Sequence, residues 1–212
     1  MRFSIHTLYA YISPVFRKRR MRRFLATFTP DSSTSILDVG GLPATWRSVS
    51  CRARITLLNV FRFDGRPDSV DSPIVTVVGD GRNLQFPSQS FDIVFSNSVI
   101  EHLGTFEDQQ AFARECRRVG GRLWVQTPAR SFFIEPHLLT PFIHFLPRSA
   151  QRVLIRNFTV WGLLTRPSAQ QVCDFMAEVR LLNRAEMQAL FPDCTIISEK
   201  FLGLTKSYIA VR

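Results

Sequence analysis

The sequence predicts an α/β fold: a mostly parallel sheet that ends in an antiparallel hairpin and carries a helical cap insertion. Short apolar runs alternate with helical or loop segments between residues 35 and 126, as in parallel sheets that helices cover on both faces. Two further β-type runs, 195–201 and 206–211, flank a short link, which indicates a hairpin. The chain has 212 residues, of which 45% are hydrophobic, so it can bury a core and is not intrinsically disordered.

The first 30 residues form a basic segment ahead of the sheet. Seven of the 27 Lys and Arg residues precede the first acidic residue, Asp31, so much of the formal net charge of +10 is located there. Apolar residues recur at helical spacing on both sides of Pro14, which predicts two short amphipathic helices. We expect residues 1–30 to form an arm outside the sheet. It either packs on the domain as a lid or contacts anionic lipid.

The remaining residues, 31–212, are predicted to form one domain, and its strands follow from apolar runs that end at turn residues. The predicted strands, in order, are 35–39, 55–60, 74–78, 91–96 and 122–126, with the hairpin strands 195–201 and 206–211. A helix over 107–119 is predicted to end at Gly120-Gly121, and a second covers 184–191.

Residues 128–183 are predicted to form the helical cap at the active edge of the sheet. A simple strand-to-helix loop has only about 2–6 residues, so this segment is an insertion. Its Phe and Trp residues either line a pocket for a large apolar molecule or form the core of the cap itself. Arg148, Arg152 and Arg156 recur at four-residue spacing, which places them on one helix face, where they bind an anionic group or are solvated.

Ligands of open α/β sheets bind at the carboxyl ends of the strands, and polar or glycine residues follow four of the predicted strands here. Asn59 comes about twenty residues after Asp38, a spacing suited to contacts with ribose hydroxyls. The segments at these strand ends are Asp38 to Gly41, Asn59, Gly79 to Gly81, and Ser96 to His102.

The order of these motifs resembles the class I S-adenosylmethionine-dependent methyltransferases, most closely the branch of the ubiquinone and menaquinone methyltransferases. The resemblance runs from about residue 36 to 126 and resumes in the hairpin. Its most specific segments are Gly79-Asp80-Gly81, Phe86-Pro87, Ser90-Phe91-Asp92 and Glu101-His102-Leu103. The resemblance implies a Rossmann-like domain, S-adenosylmethionine as the cofactor, and methyl transfer to a small-molecule or lipid-linked acceptor.

The resemblance also implies which residues bind the cofactor. From its methionine end to its adenine they are Asp38, Gly40, Gly41, Ser96, Asn97, Asn59, Asp80 and Gly81. Two features depart from the family pattern: Leu42 and Ala44 replace glycines of the first loop, and Asn59 replaces the usual acidic residue.

Two histidines are candidates for the catalytic group. A hydroxyl or amine acceptor has to lose a proton, which an imidazole can accept. His102, just beyond the fourth strand, is the first candidate, and His137, at the start of the cap, is the second. A hydrogen-bonded structural histidine remains the alternative for each. No Cys-x-x-Cys and no pair of histidines at ligand spacing occurs, so the sequence predicts no metal site.

Three other functions are considered. A nicotinamide-dependent oxidoreductase would show Gly-x-Gly-x-x-Gly after the first strand, which this chain lacks. Nucleic-acid methylation is an alternative that the basic N-terminus suggests, but nucleic acid is not the expected partner, because the chain lacks an Asn/Asp-Pro-Pro-Tyr-type motif and a recognisable RNA-binding module. A methyltransferase-like binding protein without catalysis stays open because of the missing glycines.

The expected compartment is the cytoplasm. The cysteines form no disulfide pattern, and the apolar run near the N-terminus precedes its basic residues, the reverse of a secretory signal. Peripheral contact with the inner face of the membrane is expected if the basic arm binds anionic lipid.

Overall fold

The computed structural model describes residues 5–62 and 74–212, and in the first helix it describes side chains from residue 16 onward. The helices are α1 (Ile5–Phe28), α2 (Pro43–Arg47), α3 (Phe106–Val119), α4 (Arg148–Phe158), α5 (Val160–Thr165), α6 (Ala169–Glu178) and α7 (Arg184–Leu190). The strands are β1 (Ser35–Val39), β2 (Arg54–Asn59), β3 (Ile74–Val78), β4 (Phe91–Asn97), β5 (Gly120–Pro128), β6 (Ile134–Glu135), β7 (Thr140–Pro141), β8 (Thr195–Phe201) and β9 (Leu204–Val211).

The main sheet has seven strands in the order β3-β2-β1-β4-β5-β9-β8. Strands β1 to β5 pair in parallel, whereas β9 is antiparallel to both β5 and β8. This confirms the predicted α/β class with a C-terminal antiparallel hairpin. The strand order reverses between β1 and β4, so the carboxyl ends of these two strands lie at the switch point where such sheets bind ligands.

Alternate side chains of each strand enter cores on opposite faces of the sheet. On one face, Leu37 and Val94 pack with Phe112 and Cys116 of α3. On the other face, the strand residues pack against α1 and α2. The buried residues of this second core include Met21, Phe24, Phe28, Ile36, Trp46, Ile55, Phe95 and Trp124.

The N-terminal helix differs from the prediction. It runs unbroken through Pro14, so the expectation of two short helices is wrong. An interior proline costs about 3 kcal/mol, which packing offsets here because Phe24 is fully buried against four other aromatic rings of the second core. Residues 20–28 are therefore a layer of the domain and not an arm outside the sheet. The side chains predicted to form an apolar stripe before residue 16 lie outside the described part of the chain.

The cap insertion consists of the small hairpin β6–β7, a short 3-10 helix and the helices α4 to α6. It has its own small core around Leu138, Ile155 and Val172, on which Trp161 and Phe175 stack with ring centroids 5.2 Å apart. Other aromatic side chains of the cap are exposed, namely Phe142, Phe145 and Phe158. The aromatic side chains of the cap thus lie partly in its core and partly on its surface.

No helix in the described ranges is long and apolar enough to span a lipid bilayer.

Candidate functional site

The carboxyl ends of β1 to β4 bring four of the predicted segments to one edge of the sheet. The amide of Gly40, just after β1, donates to the Leu58 carbonyl of β2 at 2.7 Å. The amide of Gly79, just after β3, donates to the Asn59 carbonyl at 2.8 Å. These bonds hold the first three strand ends side by side, with β4 on the other side of β1.

The loop after β1 requires both of its glycines. Gly40 has a φ of +77°, and a Cβ there would lie 2.4 Å from Cγ2 of Val99. A Cβ on Gly41 would lie 2.0 Å from Oδ2 of Asp38. The helix α2 then begins at Pro43, a residue preorganised for the first helical position. At the positions of the two missing family glycines, Leu42 occupies the N-cap position of this helix and Ala44 lies inside it.

Asp38 is enclosed beneath this loop. Its side chain is 1% exposed, and Oδ2 accepts a 2.7 Å hydrogen bond from Nε1 of Trp46. Burial raises the pKa of this carboxyl to about 7, against the opposing effect of the Trp46 bond. Asp38 therefore ties β1 to α2 and supplies a carboxyl that changes charge near neutral pH.

Two other predicted cofactor contacts make hydrogen bonds within the protein. The Asn59 amide donates to the Gly41 carbonyl at 2.7 Å. The Ser96 hydroxyl donates to the Val39 carbonyl at 2.9 Å, and Ser96 is fully buried. In this structure, both residues position the loop after β1, and the Ser96 side chain does not line an open site as the resemblance implied.

Asp80 lies at the solvent-exposed end of β3. Its carboxylate forms an ion pair with Arg82, whose guanidinium also contacts Asp108. Hydrogen bonds from the Arg82 side chain hold the pKa of Asp80 below its ordinary value. Asp80, unlike Asp38, is therefore an ionised and accessible acceptor, which suits the role predicted for it. Gly81, which follows it, packs on Val39 and Phe112.

Arg20 of α1 is a site residue that the sequence reasoning missed. Its Nη1 donates to Oδ1 of Asn97 at 2.6 Å and to Oε1 of Gln126 at 2.7 Å. Its Nε lies 3.2 Å from Oε2 of Glu199. Asn97, predicted on the methionine side of the site, thus contacts a buried arginine. The sequence signal that could have identified Arg20 is its spacing from Phe24: residues four apart lie on the same helix face.

The two predicted histidines, 35 residues apart in the chain, are in contact. Their Nε2 atoms lie 3.1 Å apart, with the rings edge to face. Nδ1 of His102 lies 3.1 Å from Oε1 of Glu178, and Nδ1 of His137 lies 2.7 Å from Oε1 of Glu135. Burial lowers the pKa of His137, but the bond to Glu135 outweighs this and leaves that pKa above its ordinary value.

Glu101 lies beside the histidine pair and is fully buried. Its Oε2 accepts a 2.9 Å hydrogen bond from the Thr127 hydroxyl. Its Oε1 is also buried and has no hydrogen-bond partner in the described part of the chain. One potential ligand atom from each of Glu101, His102 and His137 lies within 4.8 Å of the others.

A cavity of about 290 Å³ is lined by residues of the cap. Glu135, the partner of His137, belongs to its wall. The other lining residues are both apolar and basic, and include Arg130, Leu138, Phe145, Leu146, Arg148, Phe175 and Met176. The cavity therefore suits a molecule with an apolar body and an anionic or polar group.

Comparisons with known proteins agree with this architecture. Residues 50–125 match the family model described as "Methyltransferase domain". No curated protein matches the chain. The ubiquinone and menaquinone branch stays a prediction.

Solved structures share the fold over most of the chain at low sequence identity. A putative Zn-dependent alcohol dehydrogenase from Rhodobacter sphaeroides aligns with a TM-score of 0.59 and 14% identity, over 91% of this chain and 87% of that one. The PH0226 protein from Pyrococcus horikoshii OT3 aligns with a TM-score of 0.59 and 16% identity, over 95% and 89%. Magnesium protoporphyrin IX methyltransferase from Synechocystis PCC 6803, solved with bound SAH, aligns with a TM-score of 0.52 and 10% identity, over 92% and 81%.

Proposed function

We propose that this chain, a class I S-adenosylmethionine-dependent methyltransferase with the matched domain at residues 50–125, methylates a small-molecule or lipid-linked acceptor beneath its cap. The observation that carries the proposal is the cavity of about 290 Å³ that meets the histidine pair through Glu135. Its wall combines apolar cap residues with arginines, which favours an acceptor that has both an apolar part and an anionic or polar group.

The strand ends fit the chemistry of the cofactor. Asp80 offers an exposed carboxylate for the adenine amino group, and the loop at Gly40 and Gly41 allows close approach of backbone. Burial disfavours the charged form of the Asp38 carboxyl, and a cationic ligand bound nearby would favour that form. When bound, S-adenosylmethionine supplies an electrophilic methyl group on a sulfonium, so the protein has mainly to position the acceptor and exclude water.

The residues beside the cavity can position an acceptor and accept its proton. Arg130 and Arg148 in the wall suit a phosphate or carboxylate of the acceptor. His102 is partly exposed and is held by Glu178, a carboxylate that stabilises an imidazolium formed by proton transfer. We assign His102 as the proton acceptor when no metal ion is bound nearby, with His137 as its hydrogen-bonding neighbour.

Calorimetry with S-adenosylhomocysteine tests the cofactor site. We expect saturable binding by the full-length chain and weaker binding by Asp80→Ala. Asp108→Ala is the matched control, because it breaks the other ion pair of Arg82 and leaves the strand end intact. Equal affinity in Asp80→Ala and the wild type would show that the adenine site has been misplaced.

A radiolabelled methyl donor, incubated with cell extract that is then separated into lipid, nucleic-acid and small-molecule fractions, tests the acceptor class. Label is expected in the lipid or small-molecule fraction and is expected to fall in His102→Gln. Label confined to nucleic acid would contradict the proposal.

The surface of the cap supports contact with anionic membranes, which would give access to a lipid-linked acceptor. Val153, Phe158, Leu163 and Leu164 of α4 and α5 are all at least half exposed. Exposed Arg152 and Arg156 lie on the same helix, α4, as two of them. Apolar side chains flanked by cations are typical of helices that lie in a bilayer interface.

Vesicle flotation tests this contact. We expect the wild type to float with anionic vesicles, and Val153→Glu/Leu164→Glu to remain in the dense fraction. Val75→Glu is the matched control, because Val75 is also exposed but belongs to β3. Equal flotation of all three proteins would refute the contact.

A further inference from the structure

Two histidines and one buried glutamate from different parts of the chain converge next to Glu135, a residue in the wall of the cap cavity. Glu101 and His102 belong to a short 3-10 helix, Ile100–His102, that follows β4, whereas His137 lies in the loop between β6 and β7. From this convergence we propose that Glu101, His102 and His137 bind a divalent transition-metal ion, with Zn²⁺ as the first candidate. The proposal rests on the contacts within this cluster and not on the proposed function.

The orientation of both imidazoles matches that of metal ligands. In metal sites, a ligating histidine usually donates its other ring N–H to a carboxylate, which fixes the tautomer and raises the basicity of the ligating nitrogen. Here Nδ1 of each ring meets a glutamate, Glu178 for His102 and Glu135 for His137. If both Nδ1 atoms donate, the lone pairs of the two Nε2 atoms face each other across 3.1 Å. That arrangement needs a cation or a shared proton between them.

Glu101 supplies the third ligand. Its Oε2 is used by Thr127, while Oε1 is buried without a hydrogen-bond partner among the described residues. An unpaired carboxylate oxygen in the protein interior is costly, and coordination to a metal ion removes that cost. The hydrogen bond from Thr127 also fixes the carboxyl orientation, as is common for ligating carboxylates.

The charge around the cluster favours a divalent cation. Three carboxylates, those of Glu101, Glu135 and Glu178, surround two imidazoles. Within residues 5–62 and 74–212, no Lys or Arg forms a salt bridge with these carboxylates. The guanidinium of Arg180 bonds Gln109 and Glu186 instead. The cluster therefore carries an excess of negative charge, with two of its three carboxylates, those of Glu101 and Glu135, buried.

The ligand set and spacing indicate which metal ions fit. Two imidazole nitrogens and one carboxylate oxygen form the catalytic zinc set, which leaves a fourth position open, and they also suit other divalent transition metals. Nitrogens bound to a tetrahedral zinc ion at 2.0–2.1 Å lie about 3.3 Å apart, close to the 3.1 Å between the two Nε2 atoms. The open position would take water or an acceptor oxygen, whose proton the metal makes easier to remove.

Zinc binding by the full-length chain, with any polyhistidine tag removed, tests the site. We expect the chelator-treated protein to take up about one Zn²⁺ per chain in competition with a chromophoric chelator. His102→Gln and His137→Gln are each expected to lose this binding. Glu135 is not itself one of the three proposed ligands but bonds His137 and the Leu138 amide, so Glu135→Gln is expected to weaken zinc binding by about 10–100-fold.

His144→Gln is the matched control, because His144 also lies in the cap but bonds the Arg130 carbonyl. It is expected to bind zinc like the wild type, and thermal melting in chelator checks that every variant is folded. The inference is overturned if the wild type binds no stoichiometric zinc, in which case the histidines share a proton, or if His137→Gln keeps the wild-type affinity. Calorimetry with S-adenosylhomocysteine on the same samples keeps this outcome separate from that of the proposed function.

Discussion

Asp38 should make the stability of the ligand-free protein depend on pH. In the folded chain, burial raises the pKa of this carboxyl from 3.8 to about 7. Between these values, the folded state holds a proton that the unfolded state has released. Stability therefore falls as pH rises through this window and levels off above it. A shift of about 3 units corresponds to roughly 4 kcal/mol, which is an upper bound because the protein relaxes around a buried charge.

Asp38→Asn tests this directly, because its amide stays neutral at every pH and can accept the Trp46 hydrogen bond. We would measure the free energy of unfolding in urea at pH 5 and pH 8 for the wild type and the variant. The decrease in stability from pH 5 to pH 8 should be smaller in Asp38→Asn, by up to ~3 kcal/mol, because this interval covers only roughly the upper two pH units of the window. Asp174→Asn, at an exposed acid of α6, is the control and should retain the wild-type decrease. The same decrease in Asp38→Asn would refute the reasoning.

Three further predictions concern packing and the buried ion pair. Gly40→Ala should destabilise the fold by more than the ~1–2 kcal/mol that left-handed backbone strain costs, because the new Cβ also meets Val99. In a double-mutant cycle, adding Val99→Ala should recover only the part of the loss that is due to this steric contact. Phe24→Ala should lower the unfolding free energy by about 3–5 kcal/mol, measured in urea, and a smaller effect would mean that α1 is not a core element. Arg20→Met should cost about 3–5 kcal/mol, because it removes the cationic partner of Glu199 and leaves that carboxylate only the hydrogen bond from Ser207, and Arg20→Met/Glu199→Gln should recover most of it in the same measurement.

The strands of the sheet could be predicted because each is a short apolar run with a clear end. β1 and β3 have the predicted bounds, and β8 does as well. The five-residue helix α2 was not predicted, because a single turn after Pro43 carries too little periodic signal. The hairpin β6–β7 has two residues in each strand and could not be recognised for the same reason.

The candidate site could be predicted at the level of segments but not of side-chain contacts. Strand ends of a parallel sheet meet at one edge, so Asp80 and Asn59 could be placed together from the chain order alone. The direction of a side chain depends on partners that are distant in sequence. Ser96 bonds the carbonyl of Val39, and His102 contacts His137, and neither pair forms a local motif. Metal-ligand spacing rules search within short segments, so they could not find this cluster.

The basic residues of the N-terminal segment differ in burial, although a charge count of the sequence does not distinguish them. Lys18, Arg19, Arg22 and Arg23 are exposed, whereas Arg20 is buried with Asn97 and Glu199. Because α1 has 3.6 residues per turn, residues 20, 24 and 28 face the sheet, while residues 19, 22 and 23 face solvent. The basic residues of this segment therefore have two different roles. The exposed ones form a face that is available to an anionic surface, whereas the one buried cation joins α1 to the edge of the sheet. Any test of membrane binding has to change the exposed residues alone, since removing the whole segment would also remove part of the core.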